Sequence, residues 1–168
     1  LDTVVARGDL SPQDRNALLV QMTDTVAELV LRDNHRQTQA ISLLEYQAAS
    51  RAQEYERFIR EFEAAGRLDR ALEFIPTGEE LLERRAQGKA LTRPELSVLV
   101  SYSKAALKEQ LVDAEMQPDV CLSGALQQAF PQRLVELYPA EVQEHRLHRE
   151  IVATQIANEL YARAFERF

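Results

Sequence analysis

At 168 residues, 45% apolar and 28% charged, the chain can build one compact core and is too apolar for a disordered tract. Its 27 acidic side chains against 20 basic ones give a net charge of −7, which argues against a non-specific nucleic-acid binder, a function that needs clustered cations. No apolar run approaches the roughly 20 residues of a membrane span, no signal peptide is visible, and a single cysteine, Cys121, cannot form an internal disulfide, so a reducing cytoplasm is expected.

In chain order, Leu1–Leu10 has little periodicity and is expected to be a linker from an upstream region. The chain opens on Leu1 rather than Met and stops at Phe168 on a helix-like pattern, as a piece of a longer polypeptide would. Ser11-Pro12-Gln13-Asp14 reads as a helix start, with Ser11 as N-cap and Pro12 in the first turn. This helix is expected to reach Arg32, burying a face of Leu18, Leu19, Met22, Val26, Leu29 and Val30, with a break at Asp33-Asn34. A second helical stretch follows over about 35–65, apolar at Ile41, Leu44, Tyr55, Phe58, Ile59 and Phe62. Residues 47–53 are poor in large apolar groups, so the helix is expected either to project or to bend there, and Gly66 suits a left-handed C-terminal position.

Leu68–Phe74 predicts a turn or two of helix before Pro76. Thr77 with Glu80 is a capping box, opening a short helix that Gly88 closes. Leu91–Leu111 then carries apolar residues on two opposite sides: Leu96, Leu99, Val100, Leu107 and Leu111 on one, Val98, Tyr102, Ala105 and Val112 on the other. Thr92 and Glu95 form a second capping box with Pro94 in the first turn. A helix that apolar belongs in an interior. Pro118 interrupts, Asp119 can cap a helix carrying Val120, Leu122, Leu126 and Phe130, and Pro131 and Pro139 each start a short turn.

A last long helix spans about 147–163. Its apolar residues sweep more than half the circumference, more than one packing partner uses, so Ile151, Val152, Ile156 and Tyr161 are candidate interface residues. Nothing alternates like a strand. The expected fold is all-α, an irregular multi-helix bundle around a buried central helix at about 92–112, with 11–168 as a single helical domain.

Chemistry is sparse. The five glycines are scattered, so neither a dinucleotide fingerprint nor a phosphate loop is present. His145 and His148 stand three apart near Glu141 and Glu144, a spacing compatible with metal ligation, but surface histidines are the plainer reading. Cys121 reads as a buried structural thiol rather than a nucleophile, and Lys104 and Lys108 as a solvated edge or ion pair. Tyr46, Tyr55 and Tyr102 read as packing groups with wet hydroxyls, and Arg32-Asp33-Asn34-His35 as a helix terminus with an Asx turn. No catalytic, cofactor-binding or metal residue is assigned.

Five blocks carry a resemblance: Leu29–Asn34 (LVLRDN), Gln37–Ser42 (QTQAIS), Gly66–Pro76 (GRLDRALEFIP), Leu91–Leu107 (LTRPELSVLVSYSKAAL) and Leu147–Asn158 (LHREIVATQIAN). In content and order they resemble the C-terminal region of the large bacterial NAD-dependent glutamate dehydrogenases. One departure is the run Glu159-Leu160-Tyr161-Ala162-Arg163, where the family tends to place Val-Asn-Arg and a small residue. The resemblance implies a parent that oxidatively deaminates L-glutamate to 2-oxoglutarate and ammonia while reducing NAD, with catalytic and NAD-binding residues upstream and none in this stretch.

Three roles are then open: an assembly domain packing on the parent's catalytic core or on neighbouring subunits of an oligomer, a regulatory module binding a small effector, or an unrelated helical interaction domain. A flat apolar face would favour assembly; an apolar cleft with convergent charged groups would favour regulation.

Overall fold

Neither glycine nor proline occurs between Pro12 and Gly66, and that decides how the first half of the chain runs. A computed structural model describes residues 1–114 and 120–166, with the side chains of 120–122 and 163–166 left aside. Helix α1 (Asp2–Arg7) occupies the stretch expected to be a linker; six residues are too few to show a period, yet Val4 is fully buried and Gly8 closes the helix at φ 84°. Helix α2 (Pro12–Gln21) starts as expected, Ser11 Oγ accepting the Asp14 N–H at 3.0 Å.

The expected break at Asp33-Asn34 is not where the helix ends. It ends about three turns earlier than the sequence suggests, at Met22, and α3 (Thr23–Gln47) runs unbroken through Asp33-Asn34. Asx residues end a helix only when the backbone has reason to turn, and good helix formers with no Gly or Pro follow these two. The real interruption is at 48–51, in the stretch poor in large apolar groups, before α4 (Ala52–Ala64).

Gly66 follows α4 at φ 66°, and the Arg67 and Leu68 N–H groups donate back to the Phe62 carbonyl. Residues 68–76 form turns. Asp69 Oδ1 accepts the Ala71 and Leu72 N–H groups at 2.9 and 3.1 Å, and the Arg70 guanidinium donates to Glu63 and to the Pro76 carbonyl, both at 2.7 Å. Phe74 takes φ 54°, a costly conformation for a bulky residue, with its ring exposed and the next residue, Ile75, in the core. Helix α5 (Gly78–Ala86) has the full Thr77/Glu80 capping box, and Gly88 follows it at φ 70°.

Helix α6 (Arg93–Asp113) is held at its start by Glu95. That carboxylate accepts the Thr92 N–H at 2.6 Å and the Arg84 guanidinium at 2.9 and 3.0 Å. Glu95, Leu96 and Leu99 are buried; beyond Ser101, Leu107, Leu111, Tyr102 and Val112 are half-buried and Ala105 is exposed. The central helix is therefore interior over its first two turns.

Pro118 and Asp119 lie outside the described residues. Helix α7 (Val120–Gln128) leads to α8 (Gln132–Leu137), opened by Pro131, then α9 (Pro139–Gln143) with Pro139 in its first turn, and α10 (His148–Glu166). The described residues contain ten helices and no strand, so the fold is all-α.

By its internal contacts the chain groups into two compact units, 1–35 with 111–159 and 36–110 with 160–168. The first is built on Leu126, Val142 and Val152, with Phe130, Leu134, Ile151 and Ile156 packed against them. The second has the larger core, Leu44, Ala48, Ile59, Leu68, Ile75, Leu91, Leu96 and Leu99, bordered by Phe58 and Phe62 with ring centroids 4.1 Å apart. Arg93 pins the start of α6 to α3 within this unit, donating to Ser42 Oγ, Glu45 and the Thr38 carbonyl at 2.9, 3.0 and 3.2 Å.

Candidate functional site

The four candidate interface residues on α10 do not share one surroundings. Val152 is buried in the first unit's core, and Ile151 and Ile156 lie half-buried against the same cluster. Tyr161 belongs to the second unit, where its hydroxyl pairs with the Ser103 hydroxyl and the Lys104 ammonium lies 5.7 Å from its ring centroid. Burial pushes the Tyr161 phenol above its ordinary pKa. Leu160, on the same helix, is exposed, and so is Leu147 just before the helix begins.

The second unit also has an open cleft of about 290 Å³. Leu44, Phe58, Leu96, Leu99 and Val100 give it apolar walls, and Arg51, Glu54, Arg57, Glu61, Ser103 and Tyr161 line the rest together with Tyr55. Arg51 donates to Glu54 at 2.5 and 3.1 Å, holding that carboxyl below its ordinary pKa, and Arg57 lies 3.8 Å from Glu61. The buried Tyr55 hydroxyl has no hydrogen-bond partner among the described residues, and burial raises its pKa. The cleft thus presents both signs of charge around an apolar wall. No sequence signal pointed to it, because its lining comes from four separate stretches.

The remaining sequence candidates have ordinary neighbours. His145 Nδ1 accepts the Leu147 N–H at 3.2 Å and its ring lies 5.8 Å from Phe130, while Glu141 is bound by Arg7, which holds its carboxyl low. Among the described residues no group of three or more His, Cys, Asp or Glu is arranged to hold a metal ion. The side chain of Cys121 lies outside those described. Lys108 is half-buried.

The tyrosines differ from expectation. Tyr46 is exposed rather than packed, the Tyr55 hydroxyl is buried rather than wet, and the Tyr102 hydroxyl donates to Glu73 at 2.6 Å. Arg32–His35 lies inside α3 and ends nothing. The glycines do not build a cofactor cradle: Gly8, Gly66 and Gly88 close helices, Gly78 opens one and Gly124 lies within another. Among the described residues no glycine-rich turn of the kind that cradles a dinucleotide is formed.

A further surface escaped the sequence reading. Leu19, Val20, Val26, Val30 and Leu31, three of them assigned to a buried face, are exposed. The signal was there: α2 and the start of α3 carry apolar residues on adjacent positions, more than one face can bury.

The described residues are all-helical, and comparison with known proteins gives the family. Residues 88–164 match the family model described as glutamate dehydrogenase, C-terminal, and residues 1–44 match that of the bacterial NAD-glutamate dehydrogenase catalytic domain. Proteins named NAD-specific glutamate dehydrogenase from Halomonas elongata and Pseudomonas aeruginosa are each 52% identical over 160 residues, and one from Mycobacterium tuberculosis is 34% identical. Each alignment covers 95% of this chain and 10% of the relative, so the chain spans a tenth of the length of these relatives. The chain belongs to the bacterial NAD-specific glutamate dehydrogenase family and corresponds to its C-terminal region.

Proposed function

We propose that this chain is the C-terminal structural and assembly segment of a cytoplasmic NAD-dependent glutamate dehydrogenase. The whole polypeptide would convert L-glutamate, NAD⁺ and water to 2-oxoglutarate, ammonium, NADH and a proton, the hydride passing from the substrate's α-carbon to the nicotinamide in the upstream catalytic part. The observation that carries the assembly reading is α10. It lies almost wholly within the C-terminal family match, yet leaves Leu160 exposed and Ile151, Ile156 and Tyr161 only half-buried, with Leu147 exposed just before its start. Apolar surface left on a helix that already has a core partner suits a second contact, with the catalytic core or a neighbouring subunit.

The test is deletion of residues 88–168 from the whole protein, with oligomer size and activity measured together. A smaller particle with reduced activity is expected; unchanged size and unchanged activity would overturn the assembly role.

A regulatory reading is favoured by one observation, the cleft with its apolar wall and paired charges of both signs. A small zwitterion with an apolar body fits that chemistry. Filling the cleft with Ser103→Trp should leave basal turnover intact and abolish any effector response; an effector response that survives would place regulation elsewhere.

A further inference from the structure

The first turns of α3 are uncovered: from Thr23 to Leu31 every residue except Leu29 is exposed. An isolated helical stretch of that kind is stabilised mainly by packing it does not have here. Its composition is not that of a solvent-facing helix. Val26, Ala27, Val30 and Leu31 stand at i, i+1, i+4 and i+5, which at 100° per residue is an arc of about 140° without a charge. Val30 and Leu31 are 54% and 67% exposed, and Val20, at the end of α2, is 74% exposed. Scattered single exposures need no explanation, but a contiguous group marks an interface. Glu28, near the opposite side of the same helix, shows the ordinary polar surface.

What covers this face is indicated by where it lies. It falls within residues 1–44, which match the catalytic-domain model, while the chain spans 10% of the length of its relatives. A helix that belongs to a catalytic domain, in a chain holding only the edge of that domain, lacks the neighbours it would have in the whole. We infer that the face formed by Val20, Val26, Val30 and Leu31 packs on the remainder of the catalytic domain of the same polypeptide. It is a seam within one subunit, and not a contact between copies. This rests on the reading of the chain as part of a glutamate dehydrogenase polypeptide, and it places the attachment on α2 and α3 in addition to α10.

The test is hydrogen–deuterium exchange on the full-length enzyme, read by mass spectrometry over residues 19–31 and 151–161 across a wide dilution series. The expected result is that amides of 19–31 exchange slowly, by about tenfold or more relative to an unpacked helix, at every concentration. Val30→Asp should remove that protection and shorten the half-life of activity on heating. Valine and aspartate have similar helix propensity, so the effect reads the contact and not the helix. Glu28→Gln should change neither. Fast exchange over 19–31 in the full-length enzyme would overturn the inference, and so would protection lost on dilution, which would mean a second copy covers the face. Protection over 151–161 without protection over 19–31 would defeat this seam alone; fast exchange over both would defeat the assembly reading as well.

Discussion

The first turns of α6 and the first turns of α3 are both rich in branched apolar residues, and the structure treats them oppositely. Leu96 is fully buried and Leu99 nearly so, enclosed with Ile59, Leu91 and Ile75 in the second unit's core. Val26, Val30 and Leu31 are exposed. The difference does not lie in the helices. α6 has neighbours close in sequence, since α4, the 68–76 turns and α5 all precede it and all contribute to the same core. The start of α3 has α2 behind it and a long uninterrupted run ahead, so little of this chain is placed to cover it. Apolar content states that a face needs a partner; whether the partner is in the same chain is a separate matter.

That contrast can be broken most strongly at Leu96. Leu96→Ala should destabilise the second unit by about 3 kcal/mol in urea melts, because a fully enclosed leucine leaves a cavity. A loss below about 1 kcal/mol would mean the α6 start is no better packed than α3.

Glu95→Gln comes next, at about 2 kcal/mol. The carboxylate is largely buried, accepts two hydrogen bonds from Arg84 and one from the Thr92 N–H, and its neutral isostere leaves a partly buried guanidinium without its charge partner. Thermal melts at neutral pH give the comparison, and Glu95→Asp should not rescue the loss because the shorter side chain cannot span both partners.

Tyr55→Phe should act in the other direction. Removing a buried hydroxyl that has no partner among the described residues should leave stability unchanged or raise it by up to about 1 kcal/mol. A destabilisation of similar size would show that the hydroxyl has a partner in solution.

In the first unit, pH separates the ion pair of α1 and α9 from the apolar contacts. Hydrogen bonding by Arg7 lowers the pKa of Glu141 from the ordinary 4.5, so its contribution is fully present above that value and is lost as pH falls through the lower folded value. Glu141→Gln should therefore flatten part of the acid-side loss of stability while leaving the profile above pH 5 parallel to that of the unmodified chain. An unchanged acid limb would mean the pair is open in solution.

The smallest effect is expected at Val30. In this chain alone Val30→Asp should move stability by no more than about 0.5 kcal/mol, because the side chain has little to lose. A large destabilisation in the isolated chain would show that the face is covered by the chain itself and would remove the contrast with α6.

Much of the backbone plan was legible in the sequence where a residue type has only one good use. Ser11-Pro12, the Thr77/Glu80 box, Gly66, Gly88, Pro131 and Pro139 each mark the boundary they were expected to mark, because a cap, a positive φ or a fixed φ is a local property. The same local logic failed at Met22 and at Asp33-Asn34, where no such residue is present and the helix ends or continues for reasons of context. It failed again for Tyr46 and Tyr55, since periodicity says that a residue lies on a stripe and not what lies opposite it.

The all-helical class and the family were decided by the sequence itself, through helical periods, absent alternation and blocks of residues in a fixed order. Which stripe of α6 is buried and for how many turns, the gathering of Arg51, Tyr55 and Tyr161 around one cleft, and the exposure of α3 were decided only by the tertiary structure. Each depends on which distant segment arrives at a surface. Burial is a property of two surfaces meeting, and a linear pattern specifies only one of them.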